Sequence, residues 1–283
     1  MTMKILILGA KGMLGHELEK AFGAAEYELT LWDREELDIT DQEAVDRQIK
    51  ELMPDVIINA AAYTAVDKAE SESDLVYKIN GYAVGNLAQA AKETDALLIH
   101  FSTDYVFDGE NHQGYKEDHS AKNAATVYGK SKKLAEQLIE DIAPRHLIIR
   151  TQWLFGASGK NFIETMLRLA GEGQELKVVN DQFGSPTYAK DLAVRVREMI
   201  EENRPSGVYH VTNSGTTDWC DFAIEIFRQA GLSPVVRPVK SEEFAAAAKR
   251  PTYSMLVNTK LPPLRSWQEA LRAYLAETGR TQD

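Results

Sequence analysis

The stretch KILILGAKGMLG, residues 4–15, joins a short apolar run to a glycine-rich loop and the start of a helical pattern. Residues 4–9 are typical of a buried strand, and residues 13–22 have the apolar spacing of a helix. Gly9, Gly12 and Gly15 lie between the two elements. In such loops one glycine permits a tight turn, one lets the backbone approach a pyrophosphate, and one allows close packing of helix on strand. Because a helix N-terminus also favours anions, the stretch predicts the first βα unit of a dinucleotide-binding domain. No Gly-Lys-Ser/Thr follows, which excludes a Walker A loop.

The alternation of strand-like and helix-like segments continues through the first 150 residues. Apolar runs at 27–32, 55–60, 97–102 and 146–151 alternate with helical patterns at 40–53, around 72–93 and at 126–142. This order predicts βαβ units and a parallel sheet covered on both faces. Thr40 is the predicted cap of the helix at 40–53, with Glu43 as the acid of a capping box. The expected fold class is α/β, a Rossmann-type doubly wound parallel sheet with a smaller mixed C-terminal lobe.

The pattern is less regular beyond residue 156. It predicts helices at 161–170, 189–202, near 217–230 and at 266–277, a sixth strand at 176–181 and another strand at 207–213. We expect residues 1–156 to form the nucleotide-binding domain, with 176–212 returning to it. Residues 157–175 and 213–283 are expected to form the substrate-binding lobe.

Composition and charge exclude several classes of protein. The chain has 283 residues, 44% of them hydrophobic and 27% charged, as in ordinary globular proteins. Its formal net charge of −11 argues against a nucleic-acid partner, which would need a basic face. The N-terminal apolar run is interrupted at Gly9 and Lys11, too early for a signal peptide or a membrane span, so we expect a cytoplasmic protein without a membrane partner. The six histidines lack metal-ligand spacing, and no metal site is predicted.

An acid and a cation follow the second predicted strand. Asp33 lies about 20 residues beyond the glycine loop, where a carboxylate holds the ribose hydroxyls of a dinucleotide. Arg34 comes next, and its guanidinium could pair with a 2′-phosphate. An acid alone would favour NAD, whereas the pair favours NADPH, with NADH as the alternative.

Tyr128 and Lys132 are four residues apart in YGKSK, so a helix would place both side chains in one cleft. Reduction of a ketone requires a proton donor, and a lysine ammonium about 4–5 Å from a phenol would lower the tyrosine pKa by roughly 3 units. Ser102 and Thr103 end the fourth predicted strand, at the sheet edge where ligands bind. The Thr103 hydroxyl could polarise the substrate carbonyl, or it could simply cap the strand end.

Several segments, in this order, resemble the extended short-chain dehydrogenase/reductases: GAKGMLG (9–15), NAAAYT (59–64), STDYVFDG (102–109), YGKSK (128–132), RTQWLFG (150–156) and DQFGSPTYAKDLA (181–193). The resemblance covers nearly the whole chain, through KRPTYSML (249–256). WLFG and DQFGSPT are more specific, because they are similar to the branch of the family that reduces dTDP-activated 4-keto-6-deoxy sugars. The resemblance implies an NADPH-dependent reductase, with dTDP-4-dehydro-L-rhamnose as the expected substrate.

The resemblance also implies roles for individual residues. Tyr128 would be the proton donor, Lys132 would tune it and bind the nicotinamide ribose, and Thr103 would complete the triad. Further cofactor contacts would come from the glycine loop and the following strand ends, namely Lys11, Met13, Leu14, Asp38, Ile39, Ala60, Ala61, Ala62, Tyr63, Asn80 and Ser102. Thr103, Asp104, Tyr105 and Trp153 would contact the sugar. Mg²⁺ is implied by the resemblance alone.

Neighbouring activities in the family stay open to different degrees. Nucleotide-sugar dehydratases would have Glu where this chain has Tyr105, which disfavours elimination of water. Epimerases also use Tyr, Lys and a hydroxyl, so a nucleotide-sugar epimerase or a reductase of another deoxysugar remains an alternative, as does a non-catalytic NADP-binding regulatory subunit. Arg250 near Pro251 is either a ligand for the nucleotide diphosphate or a surface charge. A homodimer is among the open oligomeric states.

Overall fold

The computed structural model describes residues 2–23, 26–173, 175–244 and 246–280. Its strands are β1 Met3–Leu8, β2 Tyr27–Trp32, β3 Val56–Asn59, β4 Leu97–Thr103, β5 His146–Thr151, β6 Leu154–Phe155, β7 Leu176–Val179, β8 Phe183–Gly184, β9 Thr187–Tyr188, β10 Gly207–His210, β11 Thr217–Asp218 and β12 Val236–Val239. Its α-helices are α1 Met13–Phe22, α2 Gln42–Leu52, α3 Val66–Ala69, α4 Ser73–Tyr77, α5 Ala83–Thr94, α6 Val127–Ile142, α7 Phe162–Ala170, α8 Ala189–Glu201, α9 Trp219–Gln229 and α10 Trp267–Glu277. A π-helical turn, Lys78–Tyr82, joins α4 to α5.

The central sheet has six parallel strands in the order β10-β5-β4-β3-β1-β2, which confirms the doubly wound α/β fold. Side chains of β1 alternate between two cores, as the period of a strand requires. Ile5 and Ile7 pack with α1 and α8, whereas Leu6 and Leu8 pack with α2, α5 and α6. The strand order reverses between β1 and β3, and in open α/β sheets this crevice is where ligands bind.

Two expectations about the elements were wrong. Residues 176–179 do not join the central sheet; β7 pairs with β12 in a separate two-stranded sheet, and the sixth central strand is β10. The burial of β7 explains the difference, because Leu176 and Val178 are buried while Lys177 is exposed, and a central parallel strand must be buried on both faces. Helix α2 is capped by Asp41, whose side chain accepts a hydrogen bond from the Ala44 amide at 3.1 Å, and not by Thr40.

A separate apolar cluster lies outside the two faces of the central sheet. It is formed by β6, β7, β9, α7, α9 and α10, with Phe155, Tyr188 and Trp267 among its buried residues. This cluster gives the C-terminal half a core of its own. The predicted boundaries between cofactor domain and substrate lobe stay a prediction, and their ends at residue 1 and residues 281–283 lie outside the described residues.

Candidate active site

The glycine loop packs against the start of α1 and against the end of β3. Gly9 has a φ of +75°, and a Cβ there would lie 2.7 Å from the amide nitrogen of Ala61. A Cβ on Gly15 would lie 2.3 Å from the carbonyl oxygen of Gly9. Gly12 is the N-cap residue of α1 and makes no side-chain cap, so the first amides of the helix have no side-chain partner there. The glycines therefore meet the three requirements of a loop that holds a pyrophosphate.

A cavity of about 570 Å³ opens beside this loop, at the crevice between β1 and β3. Most of the predicted cofactor residues line it: Gly9, Lys11, Gly12, Asp33, Arg34, Asp38, Ile39, Ala60, Ala61, Ala62 and Tyr63. Met13, Leu14, Gly15, Asn80, Ser102, Tyr128 and Lys132 are not part of its lining. Met13 instead packs against Gly156, whose Cβ would lie 2.9 Å from its side chain.

Asp33 and Arg34 lie at the rim of the cavity, directly after β2. The carboxylate of Asp33 accepts backbone hydrogen bonds from Lys11 at 3.1 Å and Arg34 at 2.8 Å, which ties the glycine loop to the end of β2. Each carboxylate oxygen keeps a second lone pair for a ribose hydroxyl. The Arg34 side chain is 81% exposed, and its Nε lies 3.5 Å from the Asp38 carboxylate. Hydrogen bonds from Thr40 lower the pKa of Asp38, with smaller contributions from Arg34 and Lys78.

Asn80 joins the segment after β3 to the helix that carries Tyr128. Its amide exchanges two hydrogen bonds with the backbone of Tyr63, at 2.8 and 2.9 Å, and its Nδ2 lies 3.4 Å from the Ser131 hydroxyl. Asn80 is buried in the π-helical turn. Such turns occur often at functional sites, and this one positions the wall of the cavity.

Thr103 and Tyr128 approach each other where β4 ends and α6 begins. Thr103 is buried; its hydroxyl donates to the Asp104 carboxylate at 2.9 Å and accepts from the Tyr105 amide at 3.3 Å. Helix α6 begins at Val127, because the Thr126 side chain caps it through the Gly129 amide at 3.0 Å. The rings of Tyr105 and Tyr128 meet edge to face, with centroids 5.7 Å apart. The structure thus brings together the two hydroxyls that the sequence placed on separate elements.

The expectation that the pKa of Tyr128 is lowered towards neutral pH was wrong for this geometry. Burial of the phenol and the nearby Asp104 carboxylate raise the pKa of Tyr128 to about 12, offset in part by a hydrogen bond with Thr103. The Lys132 ammonium donates to the Phe101 carbonyl at 2.9 Å, and burial lowers its own pKa to about 8. Burial also raises the pKa of Asp104 to about 6. Tyr128 therefore carries its proton at neutral pH, which is the form that a proton donor needs.

Trp153 lies after β5, at the junction with the C-terminal cluster. Its φ of +48° is unusual for a large side chain. Its ring stacks on Trp219 of α9, with centroids 3.7 Å apart, and a Cβ on Gly184 would lie 2.7 Å from it. Two separate segments, β8 and α9, thus fix the position of this indole. Backbone conformations of this kind are found disproportionately at ligand sites.

Sequence reasoning missed several residues of the site. Trp32, Leu37, Thr40, Leu75, Lys78 and Ile79 also line the cavity, and Leu8 forms part of its floor. Helix side chains that line a cavity form no recognisable sequence motif. The position of Lys78, two residues before Asn80, could nevertheless have suggested that Lys78 belongs to the site.

Two ion pairs near the site were also missed. Glu136 and Arg150 form a buried ion pair behind Lys132, at 2.7 Å. Arg250 is paired with Asp67, with two contacts of 2.5 and 3.1 Å.

The described residues contain no group of three or more His, Cys, Asp or Glu side chains placed to hold a metal ion. His100 is fully buried in β4, as expected of a core residue. Within the described ranges, no helix is both long and apolar enough to cross a membrane.

A glycine loop at the switch point of a parallel sheet, with a Thr–Tyr–Lys group at the adjacent strand end, is typical of the extended short-chain dehydrogenase/reductases. A family model described as RmlD substrate binding domain matches residues 3–280, and the chain belongs to this family. It is 42% identical over 278 residues to the spore coat polysaccharide biosynthesis protein SpsK of Bacillus subtilis, covering 97% of each chain. It is also 42% identical over 277 residues to a dTDP-4-dehydrorhamnose reductase of Streptomyces griseus, covering 94% of this chain and 91% of the relative.

A solved structure extends the likeness to the fold. The dTDP-4-dehydrorhamnose reductase of Bacillus anthracis, crystallised in complex with NADP, superposes with a TM-score of 0.95. The two are 41% identical, and the match covers 98% of this chain and 100% of that one.

Proposed function

We propose that the protein is an NADPH-dependent reductase that converts the 4-keto group of dTDP-4-dehydro-L-rhamnose to the hydroxyl of dTDP-L-rhamnose, a step of dTDP-rhamnose biosynthesis. The observation that carries the proposal is the convergence of Thr103, Tyr128 and Lys132 where β4 meets α6, a junction that Asn80 links to Tyr63 in the wall of the cavity. This convergence occurs in a chain that is 41% identical, over nearly its whole length, to a reductase of that name solved with NADP.

The residues of the cavity fit the cofactor. The close approach of Gly9 to Ala61 and the uncapped start of α1 suit a pyrophosphate, with Lys11 nearby as a cation. Asp33 would hold the ribose, and Asp38 and Ile39 would lie against the adenine. Arg34, exposed at the rim, favours the extra phosphate of NADPH over NADH.

When bound, the reduced nicotinamide supplies the hydride that reaches C4 of the sugar. Tyr128 gives its phenolic proton to the C4 oxygen, and its raised pKa keeps that proton in place until the oxygen becomes strongly basic. Thr103 donates a hydrogen bond to the same oxygen, in exchange for its bond to Asp104. Lys132 lies one helical turn after Tyr128, and its charge favours the phenolate that forms.

We assign cofactor binding and substrate binding to different parts of the chain. Residues 1–156, with α8 and β10 as the returning segment, would hold the cofactor. The dTDP-sugar would be held by residues 157–175, by the segment that contains β7, and by residues 213–283. Asp104, Tyr105 and Trp153 would lie at the boundary between the two parts. The cytoplasmic location and the homodimer stay predictions from the sequence.

The test follows NADPH oxidation with dTDP-4-dehydro-L-rhamnose. We expect Tyr128→Phe to lower kcat by about 10²–10⁴, the usual range for loss of a general acid, while the Kd for NADPH changes little. Tyr82→Phe is the matched control, because Tyr82 is 61% exposed on the π-helical turn. Retention of the wild-type rate by Tyr128→Phe would refute the mechanism. Tight NADPH binding without turnover would favour the regulatory subunit, and turnover only with another 4-keto sugar would change the substrate.

A further inference from the structure

Glu136 lies one helical turn after Lys132 on α6, and it is fully buried. Its Oε1 accepts hydrogen bonds from the Ser102 hydroxyl at 2.6 Å and from Nε of Arg150 at 2.7 Å. Its Oε2 accepts from Nη2 of Arg150 at 2.8 Å and from the Lys133 ammonium at 3.3 Å. A buried carboxylate with this many donors stays ionised, and these donors lower the pKa of Glu136 against the effect of burial.

Arg150, the partner of Glu136 on β5, is held in place from two further sides. Its Nη1 lies 3.4 Å from Nε2 of His210 on β10, and its guanidinium lies 4.9 Å from the centre of the Phe107 ring. Burial lowers the pKa of His210 to about 4, so this imidazole is neutral and can accept the hydrogen bond. The ion pair therefore connects α6 to three neighbouring strands of the central sheet.

Two consecutive residues at the end of β4 contact this network. The Phe101 carbonyl accepts from Lys132, and the Ser102 hydroxyl donates to Glu136. Thr103, the next residue, carries the hydroxyl proposed to polarise the substrate. The two hydrogen bonds thus set the distance between the end of β4 and the helix on which Tyr128 lies.

We propose that Glu136 is a positioning residue of the reductase site, which fixes the end of β4 against α6 and places a negative charge one turn behind the Lys132 ammonium. The effect of Glu136 on kcat rests on the proposed function. Its effect on the charge state of Lys132 can be measured without any substrate.

The charges around Lys132 give the sign of the effect. Glu136 raises the pKa of Lys132, opposing the burial that lowers it. The charged groups that face Glu136 are Lys133 on α6 and Arg150 on β5, Arg150 in turn contacts His210 on β10, and His100 on β4 lies close enough to Lys132 to feel its charge. Burial and Lys132 itself keep the pKa of His100 well below its usual value, so His100 adds no charge. If Glu136 becomes Gln, the cations Arg150 and Lys133 lose their counter-charge, and the pKa of Lys132 should fall further.

The experiment compares Glu136→Gln with Glu140→Gln, the same change one turn further along α6 at an exposed position. We expect Glu136→Gln to lower kcat at pH 7 at least tenfold. The apparent pKa of the alkaline limb in the pH–rate profile should fall by half a unit or more. The KM for the sugar and the Kd for NADPH should change less than threefold. Glu140→Gln should match the wild type in all four quantities.

Two further variants keep the inference testable if Glu136→Gln, with Arg150 left unpaired in a buried site, does not fold. Ser102→Ala retains the ion pair and removes only the hydrogen bond to β4, so kcat should fall several-fold while the alkaline limb stays in place. Glu136→Gln/Arg150→Met removes both charges; kcat should fall, with a smaller shift of the limb. Wild-type kcat together with an unmoved limb in the folded Glu136 variants would overturn the inference.

The titration of Lys132 by NMR on isotope-labelled protein, assigned with Lys132→Arg, separates this inference from the proposed function. An inactive wild type would refute the function but leave the titration readable. An identical Lys132 titration in the wild type and a folded Glu136 variant would refute the charge role of Glu136 whatever the substrate is.

Discussion

Gly129, between Tyr128 and Lys130, packs α6 closely against the turn Asp104–Val106 that follows β4. A Cβ at this position would lie 2.1 Å from the carbonyl oxygen of Tyr105 and 2.9 Å from its carbonyl carbon. Since Cβ atoms essentially never approach other atoms closer than 3.0 Å, Gly129→Ala must separate the two backbones by about 0.9 Å. The atoms that must move belong to backbone, so no side-chain rotation relieves the contact.

The expected effect on catalysis is larger than the effect on stability. Overpacking costs about 1–3 kcal/mol, but alanine is favoured over glycine in a helix by about 1 kcal/mol, so the net loss of folding free energy is roughly 0–2 kcal/mol. A displacement of about 1 Å between reacting groups costs on the order of 10²-fold in rate. We therefore expect kcat for the 4-keto sugar to fall about 100-fold, while Tm falls by only a few degrees.

The assay measures kcat by NADPH oxidation and Tm by calorimetry on the same preparations. Gly85→Ala on α5 is the matched control, because its Cβ would meet only the flexible side chain of Leu138, at 3.1 Å. That variant should keep wild-type kcat and gain stability from helix propensity. A Gly129→Ala enzyme with wild-type kcat would show that the distance between Tyr105 and α6 does not control the reaction.

Two further predictions concern pH and cofactor choice. The pKa of Lys132 is about 8 and that of Tyr128 is about 12, so kcat/KM should decline above about pH 8 because the lysine loses its charge. A decline that begins only near pH 10 would contradict this assignment. Arg34→Ala should weaken NADPH by about 10–100-fold, as expected for loss of a charge-assisted hydrogen bond, and NADH by less than threefold. Arg47→Ala, an exposed cation on α2 that does not line the cavity, should leave both Kd values unchanged, and equal losses for the two cofactors with Arg34→Ala would show that Arg34 does not contact the phosphate.

The sequence predicted the features of the fold that depend on local patterns. The loop at residues 9–15 was predictable because only glycine tolerates the φ of Gly9 and the close contact of Gly15 with its carbonyl oxygen. The strands were predictable because parallel strands buried on both faces are apolar throughout. The strand-like segment at 176–179 was recognised as well, but its partner β12 lies nearly sixty residues away, and an apolar run does not say which sheet it joins.

The electrostatics of the site could not be predicted in the same way, because they depend on contacts between distant segments. The spacing of Tyr128 and Lys132 suggested that the lysine lowers the pKa of the tyrosine. In the folded protein the buried Asp104, which follows Thr103 on another element, has the opposite effect on the phenol. The lysine charge depends in turn on Glu136, and Glu136 depends on Arg150 of β5, fourteen residues away. A pair of residues four apart therefore identifies where the reaction occurs, whereas the protonation states that permit it are set by the sheet on which the helix packs.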